Sequence, residues 1–375
     1  HQARLMTTTP PPTWPNAETL WSSNDRALEM AQAILGSVDA PVGLTPKEVV
    51  WRKNKARLYR YNRSEPATQR TPIFLVLPLI NRAYILDLRP GASFVEFLLG
   101  QGHDVFLIDW GTPGDEDRAL DVTTLVTRYL PRAAKVIQRV TGSDQMTVLG
   151  YCIGGTLATC FAALHPEVTR NLVLLTAPID FSDAGQFGRM TARGNFPVEQ
   201  LTDTFPTVPA QLPDIGTKLL NPVASYIGTY RQLWEKLGVE SFDVQGWQAM
   251  YRWVNDSVPF AGAAFRQWIV EFYQDNRLAR FGQGFEHLVD FAHIVGGEPQ
   301  PLGRRRIDPA PFGVHAMVGG VVDLDRQEGA RPDVQRQRLG LAGDVAADVL
   351  GHAGGACQSL IPHRSRGLHQ IDMQV

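Results

Sequence analysis

The stretch VLGYCIGGTLAT, Val148–Thr159, decides the fold. Its apolar start predicts a buried strand, its glycines predict a sharp turn, and LATCFAALHP, Leu157–Pro166, predicts the helix that follows. Glycines two residues before and two residues after a central residue, between a strand and a helix, are typical of the nucleophile elbow. In that motif the central side chain projects from a strained corner at the top of an α/β sheet. Serine is its usual occupant, and here it is Cys152.

The chain around the elbow alternates apolar strands with helical segments. Buried strands are predicted at PIFLVLPLI, DVFLIDW, MTVLGYC and NLVLLTAPID. Continuous apolar strands separated by helices predict a mostly parallel central sheet that is covered on both faces. VVWRKNKARLYRY, Val49–Tyr61, is predicted as one edge strand, because basic residues alternate there with apolar ones. The predicted fold class is α/β, of the α/β-hydrolase type.

The same pattern divides the chain into four segments. Residues 1–45 are predicted as an N-terminal extension, and residues 46–180 as the α/β-hydrolase core with the elbow. The alternation stops at about Phe181, and the aromatic, helical segment 181–274 lies where α/β hydrolases carry a lid. It is therefore predicted to be an insertion that caps the elbow. Residues 275–375 are expected to complete the core.

The composition of the chain changes after about Arg280. All eight Trp, all nine Tyr and all six Lys precede that residue, whereas the last 95 residues hold nine Arg and six of the nine His. Two interpretations are open: the coding sequence is read out of frame beyond this point, or a divergent tail still completes the fold. The composition, with its arginine and no lysine, favours the first.

Charge and cysteine content disfavour several classes of function. The formal net charge is −2 at pH 7, which argues against a nucleic-acid partner. The three cysteines, Cys152, Cys160 and Cys357, form no CxxC pair or Cys/His ladder, so neither a metal site, a disulfide nor a cofactor is predicted. No transmembrane segment is predicted, and the N-terminus lacks the features of a signal peptide, so a cytoplasmic location is expected.

The elbow implies the remainder of a catalytic site. Such a nucleophile needs two oxyanion donors and, later in the chain, an acid followed by a histidine. The N–H of Ile153, at the helix N-terminus, is the predicted first donor and would favour the Cys152 thiolate. The second is predicted in the loop after the first buried strand, at Leu79, Ile80 and Asn81.

A cysteine at the elbow suits one kind of acyl transfer. Exchange of an acyl group between a coenzyme A thioester and a cysteine replaces one thioester with another, so the acyl group stays activated for attack by an alcohol. A serine would form an ordinary ester and lose that driving force. The elbow therefore favours acyl transfer from a thioester to a hydroxyl group, under a lid that excludes water.

Over about residues 45–280 the sequence resembles the polyhydroxyalkanoate synthases. GYCIGG matches the family's G-x-C-x-G-G box, and PLINRAYILDL, GHDVFLIDWG, TAPIDF, LNPVASY and FYQDNRL are similar to its other motifs. The short segment before the sheet resembles the class III type, whose catalytic subunit works with a companion subunit. The resemblance implies a self-associating acyltransferase at cytoplasmic polyester granules. It would polymerise (R)-3-hydroxyacyl-CoA, such as 3-hydroxybutyryl-CoA, with the growing polyester chain on Cys152 and release of CoA.

The resemblance also implies an Asp that activates the incoming hydroxyl and a His that deprotonates the cysteine. The family's D-H-x-V-P and G-G-H-x-G motifs are not intact in this sequence. The nearest match to the second is LGHAGG, with His352. The best-spaced acid is Asp323 in VVDLD, 29 residues upstream, with Asp325 as second choice. At AHIVGG, alanine stands before His293 where the family has aspartate.

Two alternatives stay open. A cysteine hydrolase of the dienelactone hydrolase type shares the G-x-C-x-G elbow, but its chain is shorter and lacks an insertion such as 181–274. A catalytically impaired synthase subunit, acting only in binding, would keep the nucleophile without its acid and base.

Overall fold

The structure is a computed structural model that describes residues 17–280 and 320–323, with side chains from residue 24 to residue 278. Its strands are β1 (Lys47–Lys53), β2 (Ala56–Tyr61), β3 (Ile73–Val76), β4 (Asp87–Arg89), β5 (Ala92–Ser93), β6 (Val105–Asp109), β7 (Met146–Tyr151), β8 (Thr169–Leu175), β9 (Thr207–Val208), β10 (Phe260–Ala261) and β11 (Gly320–Asp323).

The described residues also form α-helices, of which α5 begins directly after Cys152. They are α1 (Ala17–Gly36), α2 (Phe94–Gly100), α3 (Val122–Thr124), α4 (Leu130–Thr141), α5 (Ile153–Leu164), α6 (Gly185–Thr191), α7 (Val198–Thr204), α8 (Gln211–Lys218), α9 (Thr229–Lys236), α10 (Val244–Asn255), α11 (Gly262–Gln267) and α12 (Arg277–Arg280). The π-helical segment Leu125–Tyr129 leads into α4, and the segment Val223–Gly228 leads into α9. A third π-helical segment, Trp268–Gln274, continues α11. Short 3₁₀ turns lie at Ala83–Leu86 and Asp115–Asp117.

The main sheet has seven strands among the described residues, in the order β1-β2-β6-β3-β7-β8-β11. The central strands β6, β3, β7 and β8 run parallel, whereas β1, β2 and β11 are antiparallel to their neighbours. All four residues of β3 are buried, as expected for a strand covered on both faces. Helix α5 packs against β3, β7 and β8, α2 against β6, and α4 against β1. The predicted fold class, a mostly parallel α/β-hydrolase sheet, is confirmed.

The segment predicted as one edge strand is a hairpin, so that prediction was wrong. β1 and β2 pair antiparallel and close with Lys53 opposite Ala56. Between them Asn54 adopts a φ of 51°, in the left-handed region that asparagine tolerates better than most residues. The turn lies in the polar run 52–55, which contains neither glycine nor proline to mark it. Of these two strands, only β1 lies at an edge of the described sheet, since β2 also pairs with β6.

Residues 181–280 form helices joined by loops, with the short strand pair β9–β10, and they hold no strand of the main sheet. Many hydrogen bonds tie this segment to the core, and two of them lie at the loops beside the elbow. Nδ2 of Asn276 donates to Oδ1 of Asp180 at 2.8 Å, and the N–H of Val258 donates to the carbonyl oxygen of Ile80 at 3.0 Å. These bonds attach it to the loops that follow β8 and β3, at the carboxyl end of the parallel strands. Its action as a lid stays a prediction.

Two kinds of feature are not found in the part of the chain that the structure describes. No helix there is both long and apolar enough to cross a bilayer. No group of three or more His, Cys, Asp or Glu side chains there is placed to hold a metal ion.

Candidate active site

Cys152 lies at the corner between β7 and α5, as the elbow motif predicts. Its φ of 54° and ψ of −128° are rare for any residue other than glycine, and such strain costs about 1–3 kcal/mol. The N–H of Cys152 donates to the carbonyl oxygen of Leu175 at 2.9 Å, and its carbonyl oxygen accepts from the N–H of Gly155 at 2.8 Å. The corner is therefore held both by the end of β8 and by the first turn of α5.

The three glycines around Cys152 are required because backbone segments approach closely. A Cβ atom on Gly154 would lie against the carbonyl oxygen of Val76, at the end of β3. A Cβ atom on Gly155 would lie against the side chain of Ala177, and one on Gly150 would lie against the Cα atom of Gly155. Any side chain at these positions would force β3, β7, β8 or α5 apart.

The loop after β3 passes beside the N-terminus of α5, where the second oxyanion donor is predicted. Leu79 is buried, the carbonyl oxygen of Ile80 accepts from the N–H of Val258, and Asn81 forms a β-bridge with Ser257. The structure thus brings Leu79, Ile80 and Asn81 to the same end of the sheet as Ile153, the first residue of α5. Their role as oxyanion donors stays a prediction.

A small apolar pocket opens beside this loop. It is lined by Leu79 and Trp110 together with residues of the β1–β2 turn, of the α3 region, and of β10 and α11. Its volume of about 30 Å³ holds one or two water molecules. An acyl chain does not fit in it in this conformation, so the pocket gives no indication of the substrate.

A cluster of aromatic side chains lies where the helical segment meets the loop after β8. This aromatic cluster consists of Phe181, Phe187, Trp268, Phe272 and Tyr273. The ring of Tyr273 lies 4.8 Å from the ring of Phe181 and 4.8 Å from that of Phe187, measured between centroids. Burial, and the neighbouring Cys152, raise the pKa of Tyr273 above its ordinary value, so its hydroxyl stays protonated at neutral pH.

Comparison with protein families identifies the family to which this chain belongs. A family model for the alpha/beta hydrolase fold matches residues 87–291, and a model of the poly-beta-hydroxybutyrate polymerase (PhaC) N-terminus matches residues 20–98. The poly(3-hydroxyalkanoate) polymerase subunit PhaC of Allochromatium vinosum is 33% identical over 324 residues, which are 86% of this chain and 85% of that protein. The chain belongs to the PhaC family. The resemblance seen in the sequence motifs is confirmed.

Other PhaC proteins match over less of their length. The PhaC subunit of Haloferax mediterranei is 38% identical over 270 residues, which are 71% of this chain and 54% of that protein. The chain spans about half the length of this relative and of the Haloarcula marismortui protein. Among solved structures, a carboxyl esterase from Bacillus coagulans is 10% identical, with 68% of this chain and 87% of that chain covered and a TM-score of 0.36. A TM-score this low adds nothing to the assignment.

The described part of this PhaC-family chain holds two of the nine histidines, and neither lies at the elbow. His103 lies in the turn before β6, at the amino end of the parallel strands. His165 follows α5, which runs away from Cys152 for 12 residues, or about 18 Å at ~1.5 Å per residue. A histidine base for Cys152 would therefore come from outside the described residues. The predicted base His352 lies there, as do Asp325 and His293.

For the predicted acid Asp323, the structure describes the backbone only. This residue ends β11 and pairs with Asn171 near the start of β8, whereas Cys152 is bonded to Leu175 at the end of β8. Four residues of strand separate those two levels of the sheet, about 13 Å at ~3.3 Å per residue. This register does not bring Asp323 to the elbow. Its role as the acid stays a prediction, and the register counts against it.

The carboxylate of Asp180, the acidic residue that follows β8, accepts hydrogen bonds within a turn. Its Oδ1 accepts from the N–H of Ser182 at 2.9 Å and from Nδ2 of Asn276 at 2.8 Å. Burial opposes ionisation of this carboxyl, but these hydrogen bonds outweigh it and hold the pKa of Asp180 below its usual range. Asp180 thus joins the loop after β8 to the segment that carries Tyr273.

The sequence interpretation missed Tyr273. Its motif, FYQDNRL, carries part of the resemblance to the family, but nothing within the motif indicates proximity to the elbow. Only the packing of the segment against the loop after β8 places this side chain beside Cys152.

Proposed function

We propose that this PhaC-family chain is an acyltransferase that polymerises (R)-3-hydroxyacyl-CoA, with 3-hydroxybutyryl-CoA as its monomer, through a thioester on Cys152. The observation that carries the proposal is the elbow itself. A cysteine occupies its strained corner, where Gly154 and Gly155 bring the N-terminus of α5 against the ends of β3 and β8. An elbow with a thiol nucleophile suits the transfer of an acyl group from one thioester to another.

The first half of the proposed reaction loads the cysteine. His352 takes the proton from Cys152, and the thiolate attacks the carbonyl carbon of the CoA thioester. The oxyanion that forms is stabilised by the N–H of Ile153 and by the loop Leu79–Asn81. The bond from carbon to the CoA sulfur then breaks, and CoA leaves with the proton held by the base. The partial positive charge at the N-terminus of the 12-residue α5 supports the thiolate.

The second half transfers the acyl group to a hydroxyl. The hydroxyl of an incoming hydroxyacyl unit, deprotonated with help from a carboxylate, attacks the acyl-cysteine. Asp323 is the acid that the sequence suggests for this step, and it could act only if the loop after β11 brought it from its register position to the elbow. An ester bond forms, the thioester bond to Cys152 breaks, and the sulfur recovers its proton. Water must be kept out, because it would release a hydroxy acid instead. The helical segment 181–274 supports that role, because the N–H of Val258 attaches it to Ile80 in the loop after β3, beside the elbow.

The proposal extends to the growing polyester, to a companion subunit of the class III type, to self-association and to a cytoplasmic location at polyester granules. Support comes from an exposed apolar stretch in the helical segment, which we call the apolar stretch. It consists of Leu212, Ile215, Leu219, Val223, Tyr226, Ile227 and Tyr230, each at least 38% exposed. Large exposed apolar areas mark surfaces that bind other molecules, and a polyester is an apolar partner of this kind.

A catalytically impaired, binding-only subunit is the second candidate. One observation favours it: the register of β11 does not bring Asp323 to the elbow. A hydrolase of the dienelactone type is less well supported, because the helical segment 181–280 is extensive. Product analysis separates these candidates, since a hydrolase yields soluble hydroxy acid and a binding-only subunit yields no CoA.

The deciding experiment measures CoA release from (R)-3-hydroxybutyryl-CoA by the full 375-residue chain, alone and with a class III companion subunit. Cys152→Ala is expected to abolish release and the formation of insoluble polymer. Cys160→Ala is the matched control, because Cys160 is fully buried in α5 and burial raises the pKa of its thiol, which keeps it unreactive. Release that persists in Cys152→Ala would overturn the proposal.

A further inference from the structure

The loop after β3 begins directly against the elbow. We call residues 77–82 the oxyanion loop, because they contain the predicted second oxyanion donors. A Cβ atom on Gly154, in the first turn of α5, would overlap the carbonyl oxygen of Val76 and the carbonyl carbon of Leu77. The start of the oxyanion loop is therefore in backbone contact with the residue two positions after Cys152.

The far end of the oxyanion loop is bonded through its backbone to the helical segment. The N–H of Val258 donates to the carbonyl oxygen of Ile80, and Nε1 of Trp253 donates to that of Arg82, both at 3.0 Å. Because a peptide group is planar, the first of these bonds also sets the direction of the N–H of Asn81. The orientation of the predicted donors thus depends on residues of α10 and of the turn that follows it.

The carboxylate of Asp256 strengthens the same junction with two side-chain contacts. Nε of Arg82 donates to its Oδ1 at 2.9 Å, and the hydroxyl of Tyr84 donates to its Oδ2 at 3.0 Å. Burial, together with the negative charge of Asp256, raises the pKa of Tyr84, so the tyrosine hydroxyl stays protonated and can donate. Asp256 is the C-cap residue of α10, so these bonds join the end of that helix to the oxyanion loop.

Arg82 also contacts the loop that follows β6. Its Nη1 donates to Oγ1 of Thr112 at 2.9 Å. A guanidinium is planar and rigid, so contacts with two partners fix its orientation. The side chains of Arg82 and Asp256 are 36% and 35% exposed, and ion pairs this exposed contribute little to overall stability. Loss of the pair is therefore expected to shift the loop without unfolding the chain.

We propose that Asp256 is a positioning residue: through Arg82 and Tyr84 it holds the oxyanion loop where its N–H groups stabilise the oxyanion formed at the elbow. This inference rests on the proposed use of Cys152 as the nucleophile and of the oxyanion loop as a donor. Since Asp256 belongs to the helical segment, the oxyanion site is complete only while that segment stays attached to the core.

The test compares two reactions of Cys152 in the full chain at about pH 9, where an ordinary thiol ionises without help from a base. p-Nitrophenyl butyrate acylates the cysteine: the thiolate attacks the ester carbonyl, an oxyanion forms, p-nitrophenolate leaves and a thioester remains. Iodoacetamide alkylates the same thiolate by displacement of iodide, and no oxyanion forms. Mass spectrometry of the Cys152 peptide measures both rates. A displaced oxyanion donor slows only the acylation.

Asp256→Ala is expected to slow acylation about tenfold and to leave alkylation unchanged, because a small misplacement of a donor is costly in the transition state. Arg82→Lys keeps the positive charge but loses the planar fork, so it should lower the ratio of the two rates in the same direction. It carries the test if Asp256→Ala does not fold. Asp214→Ala is the matched control, since it removes a half-buried carboxylate that is paired with Lys218 within α8. Both of its rates should equal those of the unaltered chain.

The outcomes separate this inference from the proposed function. An unchanged acylation rate in Asp256→Ala would overturn the inference, and so would equal slowing of both reactions, which is what a purely structural role produces. CoA release from (R)-3-hydroxybutyryl-CoA, measured separately, reports on the proposed function. Selective slowing of acylation in a chain that releases no CoA would support Asp256 as the positioning residue while removing the polymerase proposal. Unchanged acylation in a chain that releases CoA would do the reverse.

Discussion

The N–H of Cys152 donates to the carbonyl oxygen of Leu175 at 2.9 Å, which bonds the corner of the elbow to the end of the neighbouring parallel strand. β7 and β8 continue in register up to this point, with Tyr151 opposite Leu175. The strained conformation of Cys152 therefore persists because the surrounding sheet fixes it on one side and α5 fixes it on the other.

Gly155→Ala is expected to destabilise the protein by about 1–3 kcal/mol, because the new methyl group would overlap the side chain of Ala177. The free energy of unfolding in urea measures this loss. The double variant Gly155→Ala/Ala177→Gly removes the main overlap and should recover part of the stability. If the second substitution recovers nothing, the contact with Ala177 is not the cause.

Asn276→Ala is expected to cost about 2 kcal/mol or more, since it removes the acceptor of the Phe181 N–H and one of the two donors to Asp180. Alanine is also less suited than asparagine to a φ of 45°. Asn255→Ala is the matched control, because Asn255 makes one exposed hydrogen bond within α10. It should change the urea-unfolding free energy by less than about 0.5 kcal/mol. Equal losses in the two variants would contradict the role given to Asn276.

The parallel strands could be predicted from the sequence for a physical reason. β3, β6 and β7 are almost entirely buried, so their residues form continuous apolar runs that a helical or exposed segment does not show. The elbow could be predicted because close backbone approach excludes every residue but glycine at three positions. The β1–β2 turn could not, because its residues Asn54 and Lys55 include neither glycine nor proline to mark a break between two strands.

The environment of Cys152 was predicted only in part. Ile153 and the Leu79–Asn81 loop follow from topology, because the ends of neighbouring parallel strands meet at one edge of the sheet. Tyr273 depends on contacts between residues far apart in the chain, such as Phe181 and Asn276, which are 95 positions apart. No local pattern encodes such a contact.

The apolar stretch is expected to contribute to binding of polyester. Val223→Asp combined with Ile227→Asp places two charges on side chains that are 68% and 60% exposed, one helical turn apart. Charged groups resist burial against an apolar surface, so the fraction of protein that sediments with poly(3-hydroxybutyrate) particles should fall several-fold. Leu35→Asp, at a side chain of α1 that is 71% exposed, is the matched control and should bind as the unaltered chain does. Equal binding by all three proteins would place the polymer surface elsewhere.

His103 is expected to make the protein less stable as the pH falls. Burial, with a contribution from Arg63, lowers the pKa of His103 despite an opposing hydrogen bond to the Thr71 backbone. The unfolded chain therefore takes up a proton as the pH falls through about 6.5 while the folded chain resists it, so stability is lost below that pH. His103→Gln removes this group, and its urea-unfolding free energy should decrease less between pH 7 and pH 5. Identical decreases would show that His103 does not contribute.

The out-of-frame interpretation of the tail makes a prediction at the level of the coding DNA. If the frame changes near codon 280, one of the two alternative frames should encode a strand followed by a D-H-x-V-P segment and, about thirty residues later, a G-G-H-x-G segment. Restoring that frame should add an aspartate and a histidine that serve Cys152, and CoA release should rise from the level of the 375-residue chain. Restoring the frame in the Cys152→Ala background is the control and should give no release. If neither alternative frame encodes these segments, the interpretation fails, and the acid and base must be sought among the tail's own residues, with His352 first.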